Sequence, residues 1–495
     1  LSRRQRQMCI RDSIWIVGFV SMFLHGKTDA QQALYPLLEK KSWSQVLEEN
    51  EYKWHPPYTI NLLIHPLHSS DWIYLNPSMV VSRRHVIRNI SSTNFEQRKK
   101  AESQEDLVVQ FAFDNPPFIP DFRLTNLRLA EDKYPVATAD YFANDIYYKI
   151  EYAATVLDDS QTLLCLRVGA KNESDKIKQI MIRSKIGYYS ENKMFDYHYI
   201  PYRWTNEKWK DYDQVVLKEH SIYKGQQLIG EVVSENMNLF WEEKKSYTDK
   251  EYEDILYPQV WYGSGYVTPE FRVKDMHRVV CAMKEVQPND SAFFVLKLLV
   301  NDSLITSFHE ESLKQLTFKD VKEKAIADFK VPFTDKTLKT EFKRDEWEDL
   351  FCSLQLSTLQ LLVNDFQNKM YQPAQGGSSE RFFVWVFEAV QMLRPMLRTG
   401  QFESVKKSLD YIFSLQDAGF PPVGKFTTTS GAIGTTGPRW ANTTGMALAL
   451  ACDYYLYSKD QQFMEDYLSK ILKAVHWILG EIKATRCLLY TSDAA

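Results

Sequence analysis

Three carboxyl side chains, Glu380, Glu388 and Asp417, fall within a stretch from Glu380 to Ile482 that also carries Arg381, Trp385, Arg439, Trp440 and Asn442. These residue types have complementary uses. A carboxyl kept protonated can donate to a leaving group, and an ionised one can activate water or attack an electrophilic carbon. Arginine offers a fixed fork of donors suited to hydroxyls or a carboxylate, and an indole offers a stacking face. Each residue also has a plainer use. Glu380 complements a helix N-terminus, Glu388 pairs with Arg394 or an inner polar group, and Asp417 is a solvated turn residue. Trp385 packs in a core, and Asn442 caps a helix.

The elements that must position these groups follow from spacing. Residues 381–390 are apolar nearly all round, the pattern of an enclosed helix. After Gly400, apolar residues at Phe402, Val405, Leu409, Ile412, Phe413 and Leu415 give an amphipathic second helix, so the two form an αα-hairpin. Gly419, Pro421 and Pro422 end it. A long loop over 423–439 with four glycines follows, and a loop of that length in a compact domain suits a functional wall or lid. Residues 440–460 and 463–482 then predict another inner and outer helix. On this reading Glu380 and Arg381 open one inner helix, while Trp440 and Asn442 open the next. If both helices run the same way, their N-termini and unpaired N–H groups gather at one end.

Small apolar residues before Tyr454-Tyr455, the turn Ser458-Lys459-Asp460, and an amphipathic helix closing on Ala474-Val475-His476-Trp477-Ile478 resemble a hairpin of the six-hairpin glycosidase superfamily. That superfamily, which includes glucoamylase-like and rhamnosidase-like enzymes, is built on an (α/α)6 toroid. The resemblance covers about a hundred residues. It implies a glycan-cleaving fold whose cleft lies at one end of the inner helices, with no metal or organic cofactor. Cleavage of a glycosidic bond needs a protonated carboxyl and a carboxylate, and Glu380 is the catalytic candidate on this view. Arg381, Trp385, Arg439, Trp440 and Asn442 would then contact substrate. Many members carry an acid directly after the arginine matched by Arg381, where this chain has Phe382.

Upstream, the period changes to two. Residues 107–113, 147–156, 162–168 and 292–298 are short runs rich in β-branched and aromatic residues, separated by turns at 158–160 and 287–290. Runs of this kind without intervening helices predict an antiparallel β-sandwich. The fold class is therefore an N-terminal antiparallel β-sandwich over 31–308, including an N-terminal extension. A helical linker follows at 309–344, and a partial α/α toroid at 345–486 opens on a helix predicted over 345–368. Toroidal polysaccharide lyases, a comparison class, usually place the sandwich after the helices. Aromatics over 195–209 (Tyr197, Tyr199, Tyr202, Trp204, Trp209) suit either sugar stacking or a loop packed on the core. His55, His65 and His68 stand beside prolines without the spacing of a metal site.

Residues 1–13 and 487–495 resemble translated adapter sequence and are excluded from fold reasoning. On that reading the protein continues past Arg486 and a large part of its toroid lies beyond. Residues 14–30 match the apolar core and cleavage region of a signal peptide, and an apolar run of about eleven residues is short for a bilayer span. The expected location is periplasmic or secreted, with no integral span in the mature chain and no lipoprotein cysteine. A formal net charge of −4 gives no reason to expect nucleic-acid binding. Hydrophobic content of 44% supports two domains, and widely spaced Cys165, Cys281, Cys352 and Cys452 predict core thiols without a disulfide framework. The expected partner is a carbohydrate substrate, and the oligomeric state stays open. Two function classes follow: an exported glycoside hydrolase acting on oligo- or polysaccharide, or a glycan-binding surface-assembly protein that has lost its acids. A toroidal polysaccharide lyase is the third alternative.

Overall fold

A computed structural model describes residues 62–75, 79–85, 105–115, 117–120, 125–158, 161–190, 209–210, 215–243, 278–301, 305–335, 337–365, 368–374, 384–417, 426, 428–434 and 441–485. Two antiparallel sheets of eight strands dominate the N-terminal part. The first runs in the order β1 (Leu62–Leu63), β2 (Asp71–Leu75), β3 (Val81–His85), β4 (Glu105–Phe113), β9 (Lys178–Ser190), β15 (Val279–Val286), β14 (Asn238–Glu242), with β10 (Trp209–Lys210) also on β9. The second runs β11 (Val215–Lys218), β12 (Ser221–Lys224), β13 (Gln227–Ser234), β16 (Ser291–Leu299), β8 (Thr162–Asn172), β7 (Ile146–Val156), β6 (Tyr134–Ala143), β5 (Asn126–Ala130). The four strands expected from period-two spacing are β4, β7, β8 and β16.

The sheets face each other over one core. Val109, Phe111, Leu164, Leu166, Val168, Ile182, Phe294 and Leu296 all lie in it, placed there because alternate side chains on a strand share a face. The opposite face of the second sheet is apolar too. Leu163, Cys165, Val295 and Leu299 point away from the first sheet, against Leu313, Phe318, Val321, Ala325 and Phe329. Those residues belong to α1 (Ser307–Gln315) and α2 (Phe318–Lys330), each opened by a threonine capping box, Thr306 with His309 and Thr317 with Asp320. The segment predicted as a linker is thus a pair of helices covering the sandwich, which explains why β8 is apolar on consecutive residues.

Helix α3 (Asp345–Gln360) stops eight residues before its predicted end. The chain turns there into a two-stranded ribbon, β17 (Leu362–Asp365) and β18 (Met370–Pro373), in which Leu362 and Val363 are buried. Four helices follow: α4 (Val386–Arg398), α5 (Phe402–Ser414), α6 (Ala441–Ser458) and α7 (Gln461–Thr485). Gly400, with φ of 83°, makes the left-handed turn from α4 into α5.

The direction of the hairpins can be read from contacts that α5 and the residues just past its end make with α7. Asp410 accepts from Tyr467 at 2.7 Å, Gln416 donates to the Lys470 carbonyl at 2.9 Å, and Asp417 pairs with Lys473. Positions advance together along α5 and α7, so these helices are parallel. Each is joined by a tight turn to the helix before it, so α4 and α6 are parallel as well. Arg394 on α4 bonds Asp453 on α6 at 2.7 Å, not Glu388. The array is therefore two αα-hairpins repeated in one orientation, around a core of Val390, Leu393, Leu409, Ile412, Ala447, Leu450 and Phe463.

Cys165, Cys281, Cys352 and Cys452 are free thiols; Cys165 and Cys281 are buried, whereas Cys452 is exposed and not a core residue.

Candidate functional site

The parallel arrangement brings the first turns of α4 and α6 to the same end of the array, as the sequence predicts, but with the residues shifted. Trp385 is the N-cap of α4 in an extended conformation, and the helix begins only at Val386. Glu380 and Arg381 therefore precede the helix and lie outside the described residues, as do Arg439 and Trp440. The shift has a physical cause: Val384 is buried with Ala389 and Tyr411, which fixes the chain in an extended entry before the first turn. Trp385 is neither a turn inside α4 nor fully enclosed. It packs, partly buried, against Trp72, Tyr74, Val363 and Ala374, joining the start of α4 to β2 of the sandwich.

Glu388 sits in the first helical turn and is exposed, where its charge complements the N-terminal dipole. Asn442 is exposed in the first turn of α6. Asp417, at φ of 68°, accepts the Gly431 N–H and pairs with Lys473. It ties the loop to α7. The described part of that Gly-rich loop lies along α7 as a wall: Trp477 donates to the Thr428 carbonyl at 2.9 Å, and the Phe426 ring lies tilted against Trp477 with centroids 5.9 Å apart. Thr444, fully buried, bonds the Ile433 main chain and pins the wall to α6. Beside the wall is a groove of about 800 Å³ lined by Phe426, Leu468, Leu472, Lys473, His476 and Trp477.

No family model and no curated protein matches the chain. Among solved structures it is similar to a GH92 family glycosyl hydrolase, at 9% identity and a TM-score of 0.28 over 85% of this chain and 54% of that one. A family GH92 α-mannosidase from Bacteroides thetaiotaomicron aligns at 10% identity and 0.29, over 87% and 62%. A polysaccharide lyase aligns at 8% and 0.20, over 86% and 69%. The chain thus spans a little over half the length of the two GH92 structures. At these scores the alignments carry no argument about activity.

A second constellation, missed in the sequence beyond its histidines, occupies the seam between sandwich and helices. A cavity of about 200 Å³ is lined by His68, Asp71, Asp158, Gln161, Asp328 and Asn364, among others. His309 is buried beside it, accepting the Thr306 N–H at Nδ1 and donating from Nε2 to Asp158 at 2.7 Å. The backbone donor fixes that tautomer. The signal available in the sequence was His65-Pro66-Leu67-His68, a polar and turn-prone run between two strands. Its role shows only once residues about 295 positions away in the chain lie beside it. No group of three His, Cys, Asp or Glu side chains among the described residues has metal-binding geometry, and no described helix is long and apolar enough to cross a membrane.

Proposed function

We propose that the chain is part of an exported glycoside hydrolase of the six-hairpin type, cleaving an oligo- or polysaccharide by carboxylate acid/base chemistry. In this reading α4 to α7 form an arc of an (α/α)6 toroid. The observation that carries it is the parallel pair of hairpins. Their inner helices present their N-termini at one end, and Trp385 seats that end against the sandwich. Glu380 and Arg381 stand just before α4, and Arg439 and Trp440 just before α6. All four lie outside the described residues, and the reading takes them from their sequence positions ahead of the end where unpaired helix N–H groups collect. Glu380 is the catalytic candidate; Arg381, Trp385, Arg439, Trp440 and Asn442 are the substrate contacts. No metal or organic cofactor enters this chemistry.

One observation favours the second reading, a non-catalytic glycan-binding protein. Asp417, a described carboxyl beside the array, is engaged by Lys473 and the Gly431 N–H. Hydrolysis of a panel of aryl glycosides and polysaccharides separates the readings. On the enzyme reading Glu380→Gln abolishes turnover and keeps binding, while Arg439→Ala and Trp440→Ala weaken both without changing Tm. Glycan binding without turnover in the unaltered protein selects the second reading. Normal turnover in all three variants places the cleft elsewhere.

A further inference from the structure

Between β1 and β2 the chain crosses from the sandwich to the helical array and is bound there by main-chain contacts. His65 donates from Nε2 to the Gln360 carbonyl at 3.0 Å, and the Gln360 side chain returns a bond to the His65 carbonyl at 2.6 Å. Three residues on, His68 donates from Nδ1 to the Leu362 carbonyl at 3.0 Å and accepts the Asn364 N–H at 3.0 Å. The His68 ring lies flat on Tyr371 at 4.2 Å, and Lys407 of α5, held by Glu403 at 2.8 Å, covers the other part of that tyrosine at 4.8 Å. His68 has φ of 61°, a costly conformation for a side-chain-bearing residue that this set of bonds maintains.

We propose that residues 64–71 are an acid-sensitive clamp holding the helical array on the sandwich, opened by protonation of His65 and His68. Each ring makes its bond to a carbonyl with one nitrogen, so it serves the clamp as a neutral donor. A second proton adds a charge to a site that cannot hydrate it. Burial pushes both rings down to about 4. His65 is fully enclosed, with the Asp71 carboxylate its facing charge, itself beside Arg83 at 3.8 Å. His68 keeps an edge toward the seam cavity, where Asp71, Asp158 and Asp328 also face, and has Lys407 and Glu403 on the α5 side. The sign follows: the clamped rings bind protons less readily than released ones, whose pKa is about 6.5. The clamp is fully closed above that value and weakens as pH falls through the window from 6.5 to 4. Opening frees β17, β18 and, through Val363 and Ala374, the seat of Trp385. The clamp thus controls the proposed cleft without resting on its chemistry.

Hydrogen exchange corrected for intrinsic rates tests this at pH 7 and 5.5. Protection in peptides spanning 362–374 falls by about tenfold or more at pH 5.5, the factor expected for one fully shifted histidine, while β8 and β16 peptides stay protected. The variant carrying His65→Gln and His68→Asn supplies an amide N–H in place of each donating nitrogen without titrating, and keeps protection at both pH values. Protection that ignores pH, that falls equally in β8 and β16, or that still falls in the double variant overturns the proposal. Should the variant not fold, ring-proton NMR of the unaltered protein decides: His65 titrating near 4 supports the clamp, and a value near 6.5 overturns it.

Discussion

In the sandwich every large apolar side chain between the sheets meets another sheet, and the outer face of the second sheet is sealed again by α1, α2 and the end of α3. The helical array is built differently. The inner sides of α4, α5 and α6 are enclosed, but α7 turns Leu468, Leu472, Leu479 and Ile482 to solvent, α6 does the same with Leu456 and Tyr457, and α4 with Phe387. A two-sheet core is a closed object in which any element unseats its neighbours. A row of hairpins is a sum of nearest-neighbour seams, in which each hairpin is as stable as the seams it makes. Removing the same amount of side chain should therefore cost very different amounts in the two regions.

The largest effect belongs to the sandwich. Phe111 lies fully buried between the sheets, and Phe111→Ala should cost about 3–5 kcal/mol, the usual range for an aromatic deleted from a core. Urea unfolding followed by circular dichroism reads it as a lower midpoint with an unchanged slope. A loss below about 1 kcal/mol would mean that the intersheet core is not close-packed, and the comparison would fail at its stronger end.

Next comes the seam that joins the two regions. With His65 held near 4 by burial and near 6.5 when unfolded, the neutral ring contributes about 3 kcal/mol above pH 6.5, lost progressively as pH falls to 4. His68, lowered to about the same value by burial, contributes in the same window. Urea midpoints measured from pH 7.5 to 4.5 should show net proton uptake on unfolding, centred near pH 5.5, that His65→Gln reduces and His65→Gln with His68→Asn removes. A profile flat over that range would place the ring in water, and the seam would rank with the open face of α7 instead of with a core.

Smaller again is the wall beside the array. Gly431 has φ of 102°, and a Cβ there would come within 2.4 Å of the Lys473 carbonyl oxygen. Gly431→Ala should cost about 1–3 kcal/mol in strain and local displacement, and should quicken proteolysis between 426 and 434 while leaving the sandwich untouched. If it destabilises β8 and β16 to the same degree, array and sandwich unfold as one unit and do not differ in the way described.

Sequence periodicity was most informative where one element satisfies itself or meets a single neighbour. Strands β4, β7, β8 and β16 and helices α5 to α7 lie where alternation or helical spacing puts them, within a few residues at their ends. It failed where tertiary partners decided the backbone. Residues 362–365 continue an apolar helical pattern, yet they form β17 because β18 and the 64–68 segment supply hydrogen bonds there that a helix would not use. Trp385 looks like the interior of an apolar helix, yet Trp72 and Tyr74, over 300 residues earlier, take its ring and leave its backbone extended. The common N-terminal end of α4 and α6 was legible as an arrangement of helices, because short turns make each hairpin antiparallel and the long connection between hairpins lets the chain return to repeat the first orientation. Its individual contacts were not, since they depend on packing across the seam.

The smallest effect tests the open side of the comparison. Leu472 and Leu479 sit seven residues apart on α7 and are 48% and 57% exposed, so each leaves about half its surface in water. Glutamate forms helix about as well as leucine, and Lys473 and Lys483 on the same helix supply neighbouring cations. Leu472→Glu with Leu479→Glu should therefore shift stability by no more than about 0.5 kcal/mol. Ala474, on the opposite side of α7, is fully buried in the array's core. Ala474→Glu forces a carboxylate into that seam and should cost several kcal/mol, enough to detach α7. Thermal unfolding of the two variants at 1 and 50 µM separates the causes. A leucine pair that destabilises like Ala474→Glu, with a Tm in the unaltered protein that rises with concentration, would show the face covered by a second copy in solution. The same loss with a concentration-independent Tm would place a segment of the chain itself over α7. Only the small, concentration-independent shift leaves α7 as an open end of the helical row.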